Sequence, residues 1–331
     1  MRRAQFVNGS VAAWILGALF VLLAGAAPAA TPPGPAAANK CDRACLNGFV
    51  DQYMAAVAAH DPSKLPHSAN ARYSENNVEM PLGEGLWQTS DGWGSYKVYI
   101  DDPQAGQVGF LGVANEDTHL SVFAARLKVV NQKVTEIEVL VARPDRPGPA
   151  SGSGNLTGGP ENLNDKPLFS EDEPADQRVS RDKLIALANG YFDTIQLNTG
   201  KIYTTFDPDC QRMENGSITA NNPNPNANPV ARMGCQAQLE TGMLKMVTRC
   251  RDRRYVVDEQ RQMVFAATFF DHNGTVRKNT LVDGTVRTIG PPFDRPYTFL
   301  IFELFKIKNG KIRQIEAVLA TVPYYMPTPW K

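Results

Sequence analysis

The sequence predicts an α+β fold made of two tandem copies of one layout, each a long N-terminal helix followed by a curved antiparallel sheet. Two observations carry the prediction. The halves repeat one another, and each passes from helical to strand periodicity. Gly48-Phe49-Val50-Asp51 recurs as Gly190-Tyr191-Phe192-Asp193, an offset of 142 residues. Leu46, Phe49, Val50, Tyr53 and Met54 space out one helical face, and Leu184, Leu187, Ala188, Tyr191 and Phe192 space out the other. An Asp-Pro step follows each helix, at 61–62 and 207–208, and then a Glu-Asn pair, Glu75-Asn76 and Glu214-Asn215. Each half closes on two alternating strands around a tight turn, Leu127 to Glu138 and Phe305 to Glu316. The Asn309-Gly310 step in the second is a strong hairpin signal.

Taken in order, the chain opens with Arg2 and Arg3, an apolar run from Val11 to Leu23, and the triplet Ala27-Pro28-Ala29. That is the pattern of a secretory signal over residues 1–29. A retained anchor is the other reading, but the run is short for a membrane span. No stable span is therefore expected after cleavage, and the location is periplasmic or secreted. Residues 30–40 read as a tether and 41–143 as the first domain. Residues 144–179 form a Pro/Gly/acidic linker, and 180–331 form the second domain. Within each domain, Tyr96 to Ile100 pairs in order with Arg254 to Val257. Gln107 to Ala114 likewise corresponds to Met263 to Phe270, and Leu120 to Val130 to Phe299 to Ile307. The second copy adds an Asn/Pro-rich loop, 217–233, and an excursion, 279–296.

Five cysteines fit export. Cys210 and Cys235 flank the Asn/Pro-rich loop and are expected to pair, although spacing alone leaves connectivity open. Cys41 and Cys45 open the first helix. Cys250 reads as a buried small hydrophobe.

Composition removes several function classes. Thirty-four basic residues balance 34 acidic ones, charged residues are 21% of the chain, and no long like-charge run occurs. A basic nucleic-acid face is not expected. There is no nucleophile elbow, phosphate loop or dinucleotide fingerprint. The four histidines, His60, His67, His119 and His272, lack metal-ligand spacing. Neither cofactor nor metal is expected, which leaves acid–base chemistry in an apolar pocket.

The helix, the Asp-Pro turn and the closing strand pair resemble the NTF2-like superfamily, in particular its SnoaL-like branch. The stretch from Arg251 to Gly274 is similar to exported SnoaL-like proteins. The resemblance implies two NTF2-like cones, each sheet wrapped around its helix. It also implies sheet-to-sheet packing of the domains and admits a homo-oligomer. The superfamily includes isomerases, dehydratases, cyclases, epoxide hydrolases, lyases and plain binding modules, so the fold does not name the reaction. The expected function is a cofactor-independent lyase, isomerase or dehydratase acting on a small hydrophobic, aromatic or polyketide-like molecule. The alternative is a non-catalytic periplasmic binding or accessory module.

Candidate site residues gather in the second half. Asp271 and His272 end an apolar strand and are the acid–base candidates, since His titrates near neutrality. Neighbours on a strand face opposite ways, so one of the two faces the cavity. Asp-His-Asn-Gly is equally good turn sequence. Arg253 and Glu214 are the polar anchors, Phe270 is a wall residue, and Tyr191 is either core or pocket. The arginine run 251–254 also reads as a solvated edge, and the repeated Glu-Asn pair as a shared turn. The aromatic tail from Pro323 to Trp330 covers either a pocket or a partner surface, or simply docks.

Overall fold

Each half begins with a capped amphipathic helix. In α1 (Arg43–Ala58) the Asp42 carboxylate accepts from the Cys45 N–H, and in α4 (Arg181–Leu197) the Ser180 hydroxyl accepts from Lys183. One apolar stripe of each helix is buried. The computed structural model describes residues 41–117, 119–143 and 159–330. The signal, the tether and linker residues 144–158 lie outside these. All described residues fall within one compact unit.

The first half forms a six-stranded sheet from β1 (His67–Glu75), β2 (Val78–Met80), β3 (Gly92–Asp102), β4 (Gln107–Glu116), β5 (His119–Val130) and β6 (Lys133–Ala142), in the order β2-β1-β6-β5-β4-β3. The second repeats it with β7 (Phe206–Glu214), β8 (Ser217–Ala220), β9 (Arg249–Asp258), β10 (Met263–His272), β13 (Tyr297–Lys308) and β14 (Lys311–Val322), in the order β8-β7-β14-β13-β10-β9. Between β10 and β13, β11 (Lys278–Thr280) and β12 (Val286–Thr288) make a separate two-stranded ribbon. Short helices α2 (Leu86–Thr89), α3 (Pro167–Ser170), α5 (Pro229–Arg232) and α6 (Cys235–Glu240) occupy the connections.

The expected architecture of antiparallel cones wrapped around long helices is overturned. Strands take 43% of the described residues against 22% in helices. Each sheet is mixed, because β1 runs parallel to β6 and β7 parallel to β14. The helix lies on one face of its sheet, and the other face is covered by the opposite sheet. The layers therefore run helix, sheet, sheet, helix, with three apolar cores between them. The reason lies in the strands themselves, which are apolar on both faces. In β13, Phe299, Ile301, Phe305 and Ile307 pack toward α4, while Leu300, Phe302 and Leu304 fill the core between the sheets. A solvated convex face would leave that second row exposed.

The sheets meet closely. A Cβ at Gly109 would stand 2.8 Å from the Phe265 ring, so only glycine fits there. Phe169 of α3 is buried in the same core, so the linker past residue 159 is partly packed structure. Ion pairs cross between the halves. Arg43 reaches Asp101 at 2.9 Å and Asp258 at 2.7 Å, and Arg181 reaches Asp102 at 2.6 Å.

The tail, whose role the sequence left open, straps one sheet to the other. Trp330 is 2% exposed. Its indole Nε1 donates to Ser74 Oγ at 2.9 Å, and the guanidinium groups of Arg72 and Arg126 lie 4.7 and 5.2 Å from its ring centroid. Arg251 of β9 donates to the Met326 carbonyl at the other end of the strap.

Disulfides join Cys41 to Cys45 and Cys210 to Cys235, and Cys250 is free and buried. Among the described residues no helix is long and apolar enough to cross a membrane. Both observations are compatible with an exported protein.

Candidate functional site

The second half holds a cavity of about 1360 Å³ between α4 and the inner face of its sheet. Strand alternation decides what faces it. On β10 the residues Phe270 and His272 line the cavity, and on β13 Phe299 and Ile301 do. From β7, Arg212 and Glu214 point in, two residues apart and so on one face. Tyr191 and Ile195 come from α4. Both stretches peculiar to the second copy supply the rim. Residues 222–224, 227–228 and 230–231 of the Asn/Pro-rich loop, whose first residues 217–220 prove to be strand β8, line one side, and Arg287 with Pro291 to Phe293 of the excursion line another.

The end lined by Tyr191, Arg212 and Glu214 is polar. Glu214 pairs with Ala317 across β7–β14, Ala317 with Glu303 across β14–β13, and Glu303 with Ala266 across β13–β10. Two carboxylates thus share one row of the sheet with a small alanine between them. Glu303 is 2% exposed, and its Oε2 has no hydrogen-bond partner among the described residues. Burial, reinforced by the Glu214 charge, pushes its carboxyl up to about 8, against the opposing pull of Arg212 and the Tyr191 hydroxyl bonded to it. Burial also raises the Tyr191 phenol, with Glu303 adding to the effect. Burial thus drives the Glu303 carboxyl toward its neutral form.

Arg212 is held by three neighbours. Its Nε donates to Thr219 Oγ1 at 3.0 Å and lies 3.5 Å from Glu214, and Nη2 donates to Gln238 Oε1. Gln238 in turn donates to the carbonyls of Thr219 and Val230 at 2.8 and 2.9 Å. The Cys210–Cys235 bridge, with Cα atoms 5.7 Å apart, sits two residues before Arg212 and three before Gln238. It brings strand and helix together where this pair meets.

His272 occupies the other end. Its ring stacks on Tyr297 at 4.4 Å between centroids and packs against Phe293 and Phe299. The Phe270 carbonyl, 3.1 Å from Nδ1, can only accept, so Nδ1 carries the proton and Nε2 the lone pair. Burial lowers its pKa to about 4, outweighing that carbonyl and the neighbouring Asp271 charge. Asp271 faces the opposite side of β10, bound by Arg249 at 3.0 Å, Arg251 at 2.9 Å and the Thr298 hydroxyl at 2.7 Å. The two acid–base candidates are therefore not brought together. Arg253 lies off the cavity, paired with Asp193 at 2.8 Å on the outer side of α4. His272, Glu214, Phe270 and Tyr191 share the cavity.

Sequence reading missed Glu303, Arg212 and Gln238. A lone Glu within Phe299 to Phe305, otherwise apolar throughout, was the available signal for the first. The Glu-Asn repeat divides in two. Asn76 and Asn215 are the same device, each bonding both ways to the backbone of the last strand, at Val141 and at Leu319. Their glutamates differ. Glu75 is tied down by Arg143 at 2.9 Å and the Leu86 N–H at 2.6 Å, whereas Glu214 opens on the cavity. In the first half, fully buried Trp87 stands edge-on to Tyr53 and Tyr73, and Tyr73 takes the place of Arg212.

Among the described residues no cluster of His, Cys, Asp and Glu is arranged to hold a metal ion. Residues 177–319 match a family model described as a domain of unknown function, DUF8021. The DUF8021 span runs from just before α4 to Leu319 and contains Tyr191, Arg212, Glu214, His272 and Glu303, with the first half outside it. No curated protein matches the chain.

Proposed function

We propose that the second half is a cofactor-independent acid–base catalyst, of lyase, isomerase or dehydratase type, acting on a small hydrophobic carbonyl compound in a periplasmic or secreted protein. The observation that carries this reading is Glu303, a buried carboxyl in register with Glu214 that its surroundings drive toward the neutral form. Protonated Glu303 donates to the Tyr191 oxygen, which frees the phenol O–H to donate to a substrate carbonyl. Glu214 accepts a proton from the carbon beside that carbonyl, and the resulting oxyanion rests on Tyr191. Return of the proton to a different carbon gives isomerisation. Loss of a β-hydroxyl as water, with the proton that Glu214 has taken passed to the departing oxygen, gives elimination. Arg212, fixed by Gln238 and Thr219, orients Glu214.

A non-catalytic binding module is the second reading. It is favoured by His272, which stays neutral well below physiological pH, and by the engagement of Arg212 with three neighbours. The two readings separate when the protein is incubated in deuterated water with ketones, phenolics and epoxides and followed by mass spectrometry. Deuterium uptake or mass loss, abolished in Glu214→Gln and cut about 100-fold in Tyr191→Phe, is the expected result. Ligand retained without exchange would replace the enzyme by the binder.

A further inference from the structure

Partnerless polar atoms gather at the two ends of the cavity. Behind Tyr191, which lines one end, is Glu303 Oε2. At the other end His272 lines the cavity, with no hydrogen bond to Nε2 among the described residues, and its ring stacks on Tyr297, whose buried hydroxyl has no partner among them. Buried groups of this kind are rare enough to need an explanation. The sheet register measures their separation. His272 pairs with Tyr297, Phe270 with Phe299, Thr268 with Ile301, and Ala266 with Glu303. That is three two-residue steps, or about 20 Å along the strands. Between the ends the wall is apolar: Phe270, Phe299, Ile301 and Leu319.

From this arrangement we infer that the ligand is two-headed: an elongated apolar molecule with a carbonyl at the Tyr191 end and a hydroxyl at the other, donating to His272 Nε2. The carbonyl end rests on the acid–base reading above, whereas the hydroxyl end and the length rest on the register alone. Allowing for the side chains at both ends, the span between the two heads is roughly 15 Å. His272 is a positioning residue. Its neutral ring accepts but does not donate at Nε2, so it selects a hydroxyl over an ether or a carboxylate.

The test measures the affinity of the purified protein for ω-hydroxy-2-alkanones of graded length and for their ω-methoxy counterparts, by calorimetry. Hydroxy ketones that reach across the cavity should bind about tenfold tighter than their methoxy partners, with no such gap for short chains, as expected for one buried hydrogen bond. His272→Phe should erase that gap and leave the methoxy series unchanged. Equal affinity of the two series at every length, or no binding by either, overturns the inference. If short ketones still exchange deuterium, the acid–base reading stands without the two-headed ligand. Length-dependent binding without exchange leaves the ligand and removes the catalyst.

Discussion

Glu303 stands in β13 where Ala125 stands in β5. Each lies two residues before the apolar residue that opens the closing hairpin, Phe305 or Leu127, and each faces the long helix of its own half. The same backbone position is thus filler in one copy and an ionisable group in the other. This contrast is why the proposed chemistry is sought in the second half, and the first expected outcome below turns on it.

Glu303 should make stability depend on pH. Its carboxyl is raised from an ordinary 4.5 to about 8 in the folded state. The protein therefore keeps a proton that the unfolded chain has released, and stability falls as pH rises from 4.5 to 8. Glu303→Gln should flatten that slope relative to the wild type, by on the order of 4 kcal/mol over the window. Urea unfolding at pH 5 and pH 8 reads the difference. A parallel slope in both proteins would show that Glu303 ionises freely.

His272 should act in the opposite sense. With its folded pKa lowered from 6.5 to about 4, the unfolded chain takes up a proton first as pH falls. Stability is then lost between pH 6.5 and pH 4, by about 3 kcal/mol. His272→Phe, which keeps the aromatic stack on Tyr297, should show less acid loss in the same titration.

Tyr191→Phe removes the proposed oxyanion donor and little volume. Turnover of any ketone substrate should fall about 100-fold in kcat with KM nearly unchanged. Thermal unfolding should move by only a few degrees. A fall in KM-type affinity alone would mark Tyr191 as a binding group.

The Cys210–Cys235 bridge closes a loop of 25 residues that carries much of the cavity rim. Opening it with the double Ser variant should cost about 3 kcal/mol. Because Arg212 and Gln238 flank the bridge, ligand affinity should fall as well. An unchanged melting temperature under reduction would show that the bridge is not formed in solution.

Trp330→Ala should cost about 3–5 kcal/mol, as large-to-small changes at buried aromatic sites do. It removes the ring clasped by Arg72 and Arg126 and leaves the Ser74 hydroxyl without its donor. Chemical unfolding of the two proteins side by side gives the value.

Much of the secondary structure was legible. The long helices follow from apolar spacing at 46, 49, 50, 53 and 184, 187, 188, 191, and the closing strands follow from alternation around Asn131 and Asn309. What escaped was long-range. Strands β1 and β7 carry polar and turn-forming residues, such as Asp207, Pro208 and Asp209, and they pair in parallel with strands far along the chain. Local pattern carries no record of such a partner. The wrapped cone failed for a related reason: an apolar row such as Leu300, Phe302 and Leu304 says that something covers it, not that a second sheet does. At the site, alternation said that Asp271 and His272 part company, but not which one turns inward. Arg212 and Gln238 meet beside the disulfide that joins their elements, and no local pattern records that meeting.

The cavity has a consequence for how the protein comes apart. Side chains around an open space forgo dispersion contacts on one side, and the second half carries that deficit where the first half has Trp87. The face its sheet shares with the first half, from Phe265 through Phe302, supplies tight packing on the reverse of the same strands. The second copy therefore leans on the first. The two are repeats in sequence, yet they should melt in a single transition, with neither half persisting once the other has opened.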